Sequence, residues 1–189
     1  MFYTFFMKIV KHLFFLLLLS ANGVFAQNIL KVPESISLQI PKNWTVIEHV
    51  RGDINKDKRL DSVVVLENKT IPDIPRKIMV FTLTQENKYH LFAENDFAAF
   101  CEQCGGMMGD PYQGIDVKPG VLKIYNMGGS SWRWTHHLTF NYSRIDNQLQ
   151  LVKQEQSSFH SSEPNKSKNT IKTPKLFGKV NFSDFKTDN

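Results

Sequence analysis

Four acidic or amide side chains fall at alternating positions in one short stretch of the chain. Asp53, Asn55, Asp57 and Asp61 occupy positions 1, 3, 5 and 9 of a loop, and the backbone carbonyl of Arg59 falls at position 7. Hard cations such as Ca²⁺ take about six to eight oxygen ligands, and alternating donors in a tight loop can converge on one point. The spacing therefore predicts a structural Ca²⁺ site formed by these five residues. The alternative is a turn whose side chains hydrogen-bond their own backbone and bind no ion.

The loop departs from an EF-hand at two positions. Lys58 replaces the turn glycine, and Val64 stands where a bidentate Glu would be, so the helix–loop–helix form is excluded. The remaining pattern, G-D-x-N-x-D-x-x-x-D over residues 52–61 before a valine run, resembles the calcium loop of FG-GAP and VCBS-type units of integrin-type β-propellers. The resemblance covers residues 50–67 and implies a calcium site between two strands. One copy cannot build a propeller, because blades need neighbours.

The two cysteines, Cys101 and Cys104, have a C-x-x-C spacing. A local disulfide is expected in an exported protein, where oxidation is the default. A thioredoxin-like redox pair needs a helix N-terminus to lower the thiol pKa, whereas a glycine-rich stretch, residues 105–111, follows here. A zinc site is the third reading, and it would take further ligands from His136, His137 or His160.

The segment at residues 128–137 combines glycines, two tryptophans, an arginine and two histidines. Strand alternation places Trp132 and Trp134 on one face and Arg133 on the other. Inward-pointing tryptophans would belong to the core. Outward-pointing ones would form, with Arg133, a surface for a sugar ring, a peptide or a protein partner. The serines before this strand lack the G-x-S-x-G frame of a nucleophile, and we assign no catalytic residue.

Short β-type runs must position these groups, because the chain shows no long helical stripe. Six runs are rich in Val, Ile, Leu, Phe, Tyr and Thr: residues 62–66, 77–83, 89–93, 121–125, 132–142 and 148–152. Turn residues at 118–120 and 146–147 predict hairpins. The fold class is therefore all-β, a single-domain, mostly antiparallel sandwich or meander with long polar loops. The Ser/Asn/Lys-rich residues 157–173 predict an exposed loop, and the apolar residues after them predict a return to the core.

Residues 1–26 have the form of a secretory signal peptide. Lys8 and Lys11 precede a short apolar run that ends in small residues before Gln27, and the run falls short of the roughly 20 apolar residues of a membrane span. We therefore expect cleavage before Gln27, one β-rich domain over residues 27–189 in the periplasm or outside the cell, and no stable membrane span. The net charge of +5 would become +3 after removal of residues 1–26, which contain two lysines and no acidic residue. We expect this charge to be too small and too evenly spread for a nucleic-acid partner.

The chain as a whole resembles a family of small exported bacterial proteins, through the strings at residues 52–65, 101–106, 128–135 and 177–180. The resemblance implies a shared periplasmic β-fold and supplies no activity. We therefore predict an exported, non-catalytic β-protein with a structural Ca²⁺ loop that binds an envelope protein or a glycan. The alternative is a small periplasmic hydrolase or thiol-active enzyme that uses the cysteine pair and the nearby histidines.

Overall fold

The apolar runs of the sequence form two antiparallel β-sheets in the computed structural model, which describes residues 30–187. The first sheet pairs four strands in chain order: β1 (Trp44–Gly52), β2 (Asp61–Asn68), β3 (Arg76–Leu83) and β4 (Tyr89–Ala99). The second pairs five, also in chain order: β5 (Tyr112–Lys118), β6 (Val121–Gly129), β7 (Trp132–Ser143), β8 (Gln148–His160) and β9 (Glu163–Lys172). The helices of this region are short: α1 (Glu34–Ser37), α2 (Pro174–Phe177) and 3₁₀ turns at Gly106–Met108 and Phe182–Asp184. The predicted all-β, antiparallel class is confirmed.

The two sheets share one apolar core, which alternate side chains of their strands fill. Its fully buried members include Val63, Val65, Ile78 and Val80 from the first sheet and Leu122, Ile124, Leu138 and Phe140 from the second. Ile54, in the loop before β2, is buried in the same core. Tyr142 packs against it from the end of β7. Leu138, Phe140 and Tyr142, at alternate positions of β7, therefore face this core.

The outer face of the first sheet is covered as well. Val64 and Leu66 point to this face, where they join Met79, Phe81 and the buried Ile36 of α1. Because β2 is enclosed on both faces, its apolar residues form an uninterrupted run rather than an alternation. The segment that includes α1 therefore completes the burial of this sheet.

Both predicted hairpins are present. Gly120 closes the turn between β5 and β6 with a positive φ of 72°, and Asn147 closes the turn between β7 and β8 with a φ of 50°. Glycine and asparagine tolerate this left-handed backbone better than other residues. The turn residues thus join β5 to β6 and β7 to β8, two pairs of neighbouring strands in the second sheet.

The prediction of an exposed loop over residues 157–173 is wrong. β8 continues to His160, and β9 occupies most of the remainder, with Phe159 paired to Ser167 and Gln154 paired to Lys172. β9 is an edge strand. Backbone hydrogen bonds to β8 hold it, while its Ser, Asn and Lys side chains stay largely in water, so low apolar content does not prevent a strand here.

The chain returns to the core after β9, as predicted. The buried rings of Phe182 and Phe185 meet the Phe140 ring edge-on, with centroids 5.0 and 5.8 Å away. Asn95 of β4, itself buried, donates hydrogen bonds from Nδ2 to the carbonyls of Phe182 and Phe185, each 2.8 Å long. This asparagine fixes the C-terminal segment to the first sheet.

Within residues 30–187, no helix has the length and apolar character needed to cross a membrane. The predicted signal peptide, residues 1–26, lies outside the described residues and stays a prediction.

Candidate functional site

β7 sets the directions of the two tryptophans. Both share a face with the core residue Leu138 but lie nearer the N-terminal end of the strand. Trp132 is 54% exposed, and its ring meets the His160 ring edge-on at 5.3 Å. Trp134 is half-buried, with its indole across Gly128 on β6, where an added Cβ would come within 2.5 Å of the ring. Gly128 therefore leaves the space that the Trp134 ring occupies.

Arg133 does not stand beside the tryptophans. Its register partners are Gly129 on β6 and Phe159 on β8, and alternation turns its side chain to the opposite face of the sheet. Its Nε is buried without a hydrogen-bond partner among residues 30–187. The predicted three-residue surface is thus divided between two faces.

A groove of about 400 Å³ opens on the Trp134 face of the second sheet. β7 and β8 contribute Trp134, His136 and Gln156, and Phe100 and Thr187 line it from outside this sheet. The Phe100 ring meets the Trp134 ring edge-on at 5.3 Å and lies tilted at 5.7 Å from the His136 ring. Aromatic walls with a few polar groups are typical of small-molecule sites.

A buried asparagine holds Phe100 in this position. Asn126 of β6 accepts a hydrogen bond from the backbone N–H of Phe100 at 3.2 Å. Its Nδ2 donates to the carbonyls of Ala98 at 3.2 Å and His136 at 3.5 Å. An unpaired buried amide is costly, so such a group favours the geometry that satisfies it. Asn126 therefore joins the end of β4 to β6 and β7 and fixes the aromatic side of the groove.

The polar groups of the groove differ in accessibility. His136 is 4% exposed, and its Nε2 lies 2.9 Å from Nε2 of Gln154. Gln156 is exposed, and its amide forms no hydrogen bond with another residue of the described part of the chain. Gln156 is therefore the amide that a ligand in the groove would meet.

The predicted cysteine pair is confirmed, because the sulfur atoms of Cys101 and Cys104 lie at a disulfide distance of 2.04 Å. The loop that follows packs on the β6–β7 hairpin, where the backbone N–H of Gly129 donates to the Gly105 carbonyl at 2.8 Å. A Cβ on Gly105 would lie 1.9 Å from the carbonyl oxygen of Gly109. The tight loop beside the groove therefore depends on glycine at position 105, and neither sulfur is a free thiolate.

The three candidate histidines point in different directions. His136 bonds Gln154, whereas His137 lies on the other face of β7 with its ring 5.0 Å from the Tyr125 ring. Burial lowers the pKa of His137. His160, at the far end of β8, lies 3.8 Å from the Glu163 carboxylate. Across the described part of the chain, no three His, Cys, Asp or Glu side chains are gathered to hold a metal ion.

The acidic loop is folded around its own side chains. Asp53 accepts hydrogen bonds from the backbone N–H groups of Asp57 and Lys58, each 3.0 Å long. Asp57 accepts from the N–H of Arg59 at 2.8 Å and from Nδ2 of Asn55 at 3.1 Å. Lys58 has a φ of 70°, the left-handed conformation for which calcium loops use glycine at this position. The sharp turn is therefore formed despite the lysine.

Asp61 has a different environment from the other acidic residues of the loop. It is completely buried and accepts backbone hydrogen bonds from Ile54 at 2.8 Å, Asn55 at 3.3 Å and Leu83 at 2.9 Å. Burial raises its pKa, although these N–H groups act in the opposite direction. Asp61 therefore ties the loop to the end of β3, whereas the three earlier oxygen donors remain accessible to solvent.

A buried ion-pair network was missed by the sequence analysis. Arg76, at the start of β3, is 2% exposed and pairs with Glu67 and Asp110. Its guanidinium carbon lies 5.2 Å from the centroid of the Tyr112 ring. The Tyr112 hydroxyl donates a 2.5 Å hydrogen bond to Glu48, and burial together with this carboxylate raises the pKa of Tyr112. The network ties the loop before β5 to the first sheet.

No family model, curated protein or solved structure matches this chain. The resemblance to FG-GAP and VCBS-type loops and to small exported bacterial proteins therefore stays a prediction.

Proposed function

We propose that this protein is an exported, non-catalytic binding module that takes a carbohydrate in the groove beside Trp134. The observation that carries the proposal is the groove itself, in which the rings of Trp134 and Phe100 lie next to the Gln156 amide, which has no hydrogen-bond partner among residues 30–187. A sugar ring has an apolar face that packs on an aromatic ring and hydroxyl groups that bond to amides. The groove offers both kinds of contact within one site.

Within the described residues 30–187, no convergent set of groups supports the enzymatic alternative. A hydrolase needs a nucleophile or base held within hydrogen-bond distance of an orienting partner. His136 contacts Gln154, His137 contacts Tyr125, and His160 contacts the Trp132 ring and lies 3.8 Å from Glu163, so the three histidines have three separate sets of neighbours. In thiol enzymes of the C-x-x-C type, a helix N-terminus lowers the thiol pKa, whereas the three-residue 3₁₀ turn Gly106–Met108 follows the cysteine pair here. We therefore favour binding over catalysis.

Export is part of the proposal. Disulfides persist in oxidising compartments and are rare in the cytosol, and the cysteine pair at disulfide distance agrees with such a compartment. We propose that residues 1–26 direct the chain to the periplasm or beyond and are removed before Gln27. A glycan-binding role suits that location, because envelope polysaccharides are exposed there. An envelope protein as partner is the competing outcome of the test below.

We further propose that the acidic loop binds Ca²⁺ as a structural ion. Asp53, Asn55, Asp57, the Arg59 carbonyl and Asp61 would supply the oxygen ligands, and Asp61 would also anchor the loop through its backbone hydrogen bonds. The left-handed Lys58 supports this proposal, since it gives the loop the turn that such sites require. The ion would stiffen the connection between β1 and β2.

The carbohydrate proposal is tested by screening the purified chain against an array of bacterial envelope glycans, followed by fluorescence titration of each hit. We expect Trp134→Ala to weaken binding at least about tenfold, which corresponds to about 1.4 kcal/mol. Gln156→Ala should weaken it without affecting folding, because this amide is exposed and unpaired among the described residues. Trp132→Ala is the matched control, since it removes the same ring from the same strand outside the groove.

Three results would contradict the proposal. One is the absence of any glycan hit for a chain whose circular dichroism shows the native β-fold. Another is an equal loss of affinity in Trp132→Ala and Trp134→Ala, which would indicate that the ligand binds a broad aromatic surface and not the groove. The third is capture of an envelope protein whose binding depends on Trp134 when no glycan binds.

A further inference from the structure

We propose that the ligand of the Trp134 groove is an acidic oligosaccharide, whose carboxylate, sulfate or phosphate group is bound by Lys168. This inference rests on the proposed carbohydrate function and specifies the class of sugar. It comes from a second hollow, from the register of three strands and from the distribution of charge.

A second hollow of about 210 Å³ continues the groove across the sheet. Gln156 and Ser157 line both spaces, and Ser158, Lys168 and Thr170 line the second one alone. The shared residues lie on β8, between the strand that carries Trp134 and the strand that carries Lys168. A ligand that fills the first space can therefore extend into the second without leaving the sheet.

The strand register places the aromatic ring and the lysine in one row. Trp134 pairs with Ser158, and Ser158 pairs with Lys168. Paired residues of neighbouring antiparallel strands point to the same face, and two strand spacings of about 4.8 Å separate β7 from β9 by about 10 Å. The adjacent row runs from His136 through Gln156 to Thr170. When one sugar ring stacks on Trp134, the next sugar ring of the oligosaccharide thus lies within reach of the Lys168 ammonium group.

Among residues 30–187, most polar side chains between these ends have no hydrogen-bond partner, and the exception is Ser157, whose Oγ lies 2.6 Å from Oγ1 of Thr135. The side chains of Gln156, Ser158 and Thr170 make no hydrogen bond with another described residue. Lys168 is exposed and forms no ion pair within residues 30–187, whereas Lys166 pairs with Glu163 at 2.6 Å. Hydroxyl and amide groups can bond sugar hydroxyls, and the ammonium group can form charge-assisted hydrogen bonds with an anionic substituent.

The expectation of evenly spread charge is wrong, and the excess lies in this part of the chain. Residues 30–147 contain 14 basic and 14 acidic residues, whereas residues 148–187 contain seven lysines and three acidic residues. The second segment includes β8, β9 and the C-terminal return. A local positive field favours anionic ligands over neutral ones of the same shape.

The test compares matched neutral and acidic probes. The full chain is titrated with oligogalacturonate and with a neutral glucan oligosaccharide of the same length, at low and at physiological salt. The acidic probe should bind more tightly, and its advantage should shrink as salt screens the charge. Lys168→Gln should weaken acidic binding by about three- to tenfold and leave neutral binding unchanged. Lys123→Gln is the matched control, because Lys123 lies between the core residues Leu122 and Ile124 on β6 and so points to the opposite face.

The outcomes separate this inference from the proposed function. If Trp134→Ala weakens glycan binding but the acidic probe has no advantage and Lys168→Gln has no effect, the charge inference is overturned and the carbohydrate function stands. If neither probe nor any array glycan binds, both are overturned. Tighter binding of single-stranded oligo(dT) than of every glycan, lost in Lys168→Gln, would also overturn both, since stacking on Trp134 and contact with Lys168 would then serve nucleic acid.

Discussion

The buried arginine at the start of β3 gives a prediction about stability. Arg76 makes two hydrogen bonds to Asp110, at 2.6 and 2.8 Å, and two to Glu67, one of them 2.9 Å long. A fifth reaches the Phe100 carbonyl at 3.2 Å. Arg76 thus connects β2 and β3 to the residues on both sides of the cysteine loop, next to an aromatic wall of the groove.

Arg76→Met should lower the free energy of unfolding by about 3 kcal/mol. Removing one partner of a buried ion pair costs about 3 to 5 kcal/mol. The lower end applies here, because water can reach the carboxylates of Glu67 and Asp110 that would lose their partner, whose side chains are 28% and 44% exposed. For a domain of this size, about 3 kcal/mol corresponds to a fall in Tm of roughly 6 to 12 °C. Arg76→Lys should recover only part of the loss, since lysine cannot make the bidentate contact.

The assay is urea unfolding followed by circular dichroism, with thermal melting as a second measurement. The matched control is Arg51→Met on β1, where the arginine is exposed and we expect a change within about 0.5 kcal/mol. A loss below about 1 kcal/mol in Arg76→Met, or a loss equal to that of the control, would refute the reasoning that this network holds the loop to the sheet.

Three further predictions follow from the loop, the groove and the half-buried His137. Ca²⁺ at 10 times its Kd should stabilise the chain by about 1.4 kcal/mol and raise Tm by roughly 3 to 6 °C. Asp57→Asn should abolish this shift, whereas the exposed control Asp73→Asn should keep it. No shift in the wild-type protein would contradict the calcium proposal. Gly128→Ala should cost about 1 to 3 kcal/mol and shift tryptophan emission, because the new Cβ would overlap the Trp134 ring; unchanged emission would contradict this contact. Burial lowers the pKa of folded His137 below its unfolded value, so stability should fall as pH drops through about 6.5, and His137→Gln should flatten that part of a Tm-against-pH profile.

The strands with apolar runs were predictable, and the polar edge strand β9 was not. The runs at 62–66 and 77–83 fall inside β2 and β3 because burial selects their side chains. β9 carries almost no apolar residue, and it is a strand because β8 offers it a ladder of backbone partners. Such a partner is a tertiary feature, and no local pattern at residues 157–173 announces it.

The candidate site was predictable only in its aromatic half. The neighbours of Trp134 in the sequence made it a candidate. Phe100 and Gln156 approach it only in the folded chain, because Asn126 hydrogen-bonds Phe100 and because β7 pairs with β8 in this register. Lys168 could not be predicted as a site residue because its place in the site depends on the pairing of β9 with β8. The basic excess of residues 148–187 was countable from the sequence, and a count by segment rather than over the whole chain would have indicated this segment.

The way in which Phe182 and Phe185 enter the core has a consequence for the order of folding. Both rings follow all nine strands in the chain, yet they fill space between β4 and β7, and Asn95 holds their backbone there. A nascent polypeptide on which all nine strands have emerged still lacks these two rings. The apolar core is therefore complete only once the segment beyond β9 has emerged, because until then the Phe140 ring lacks its two edge-on partners.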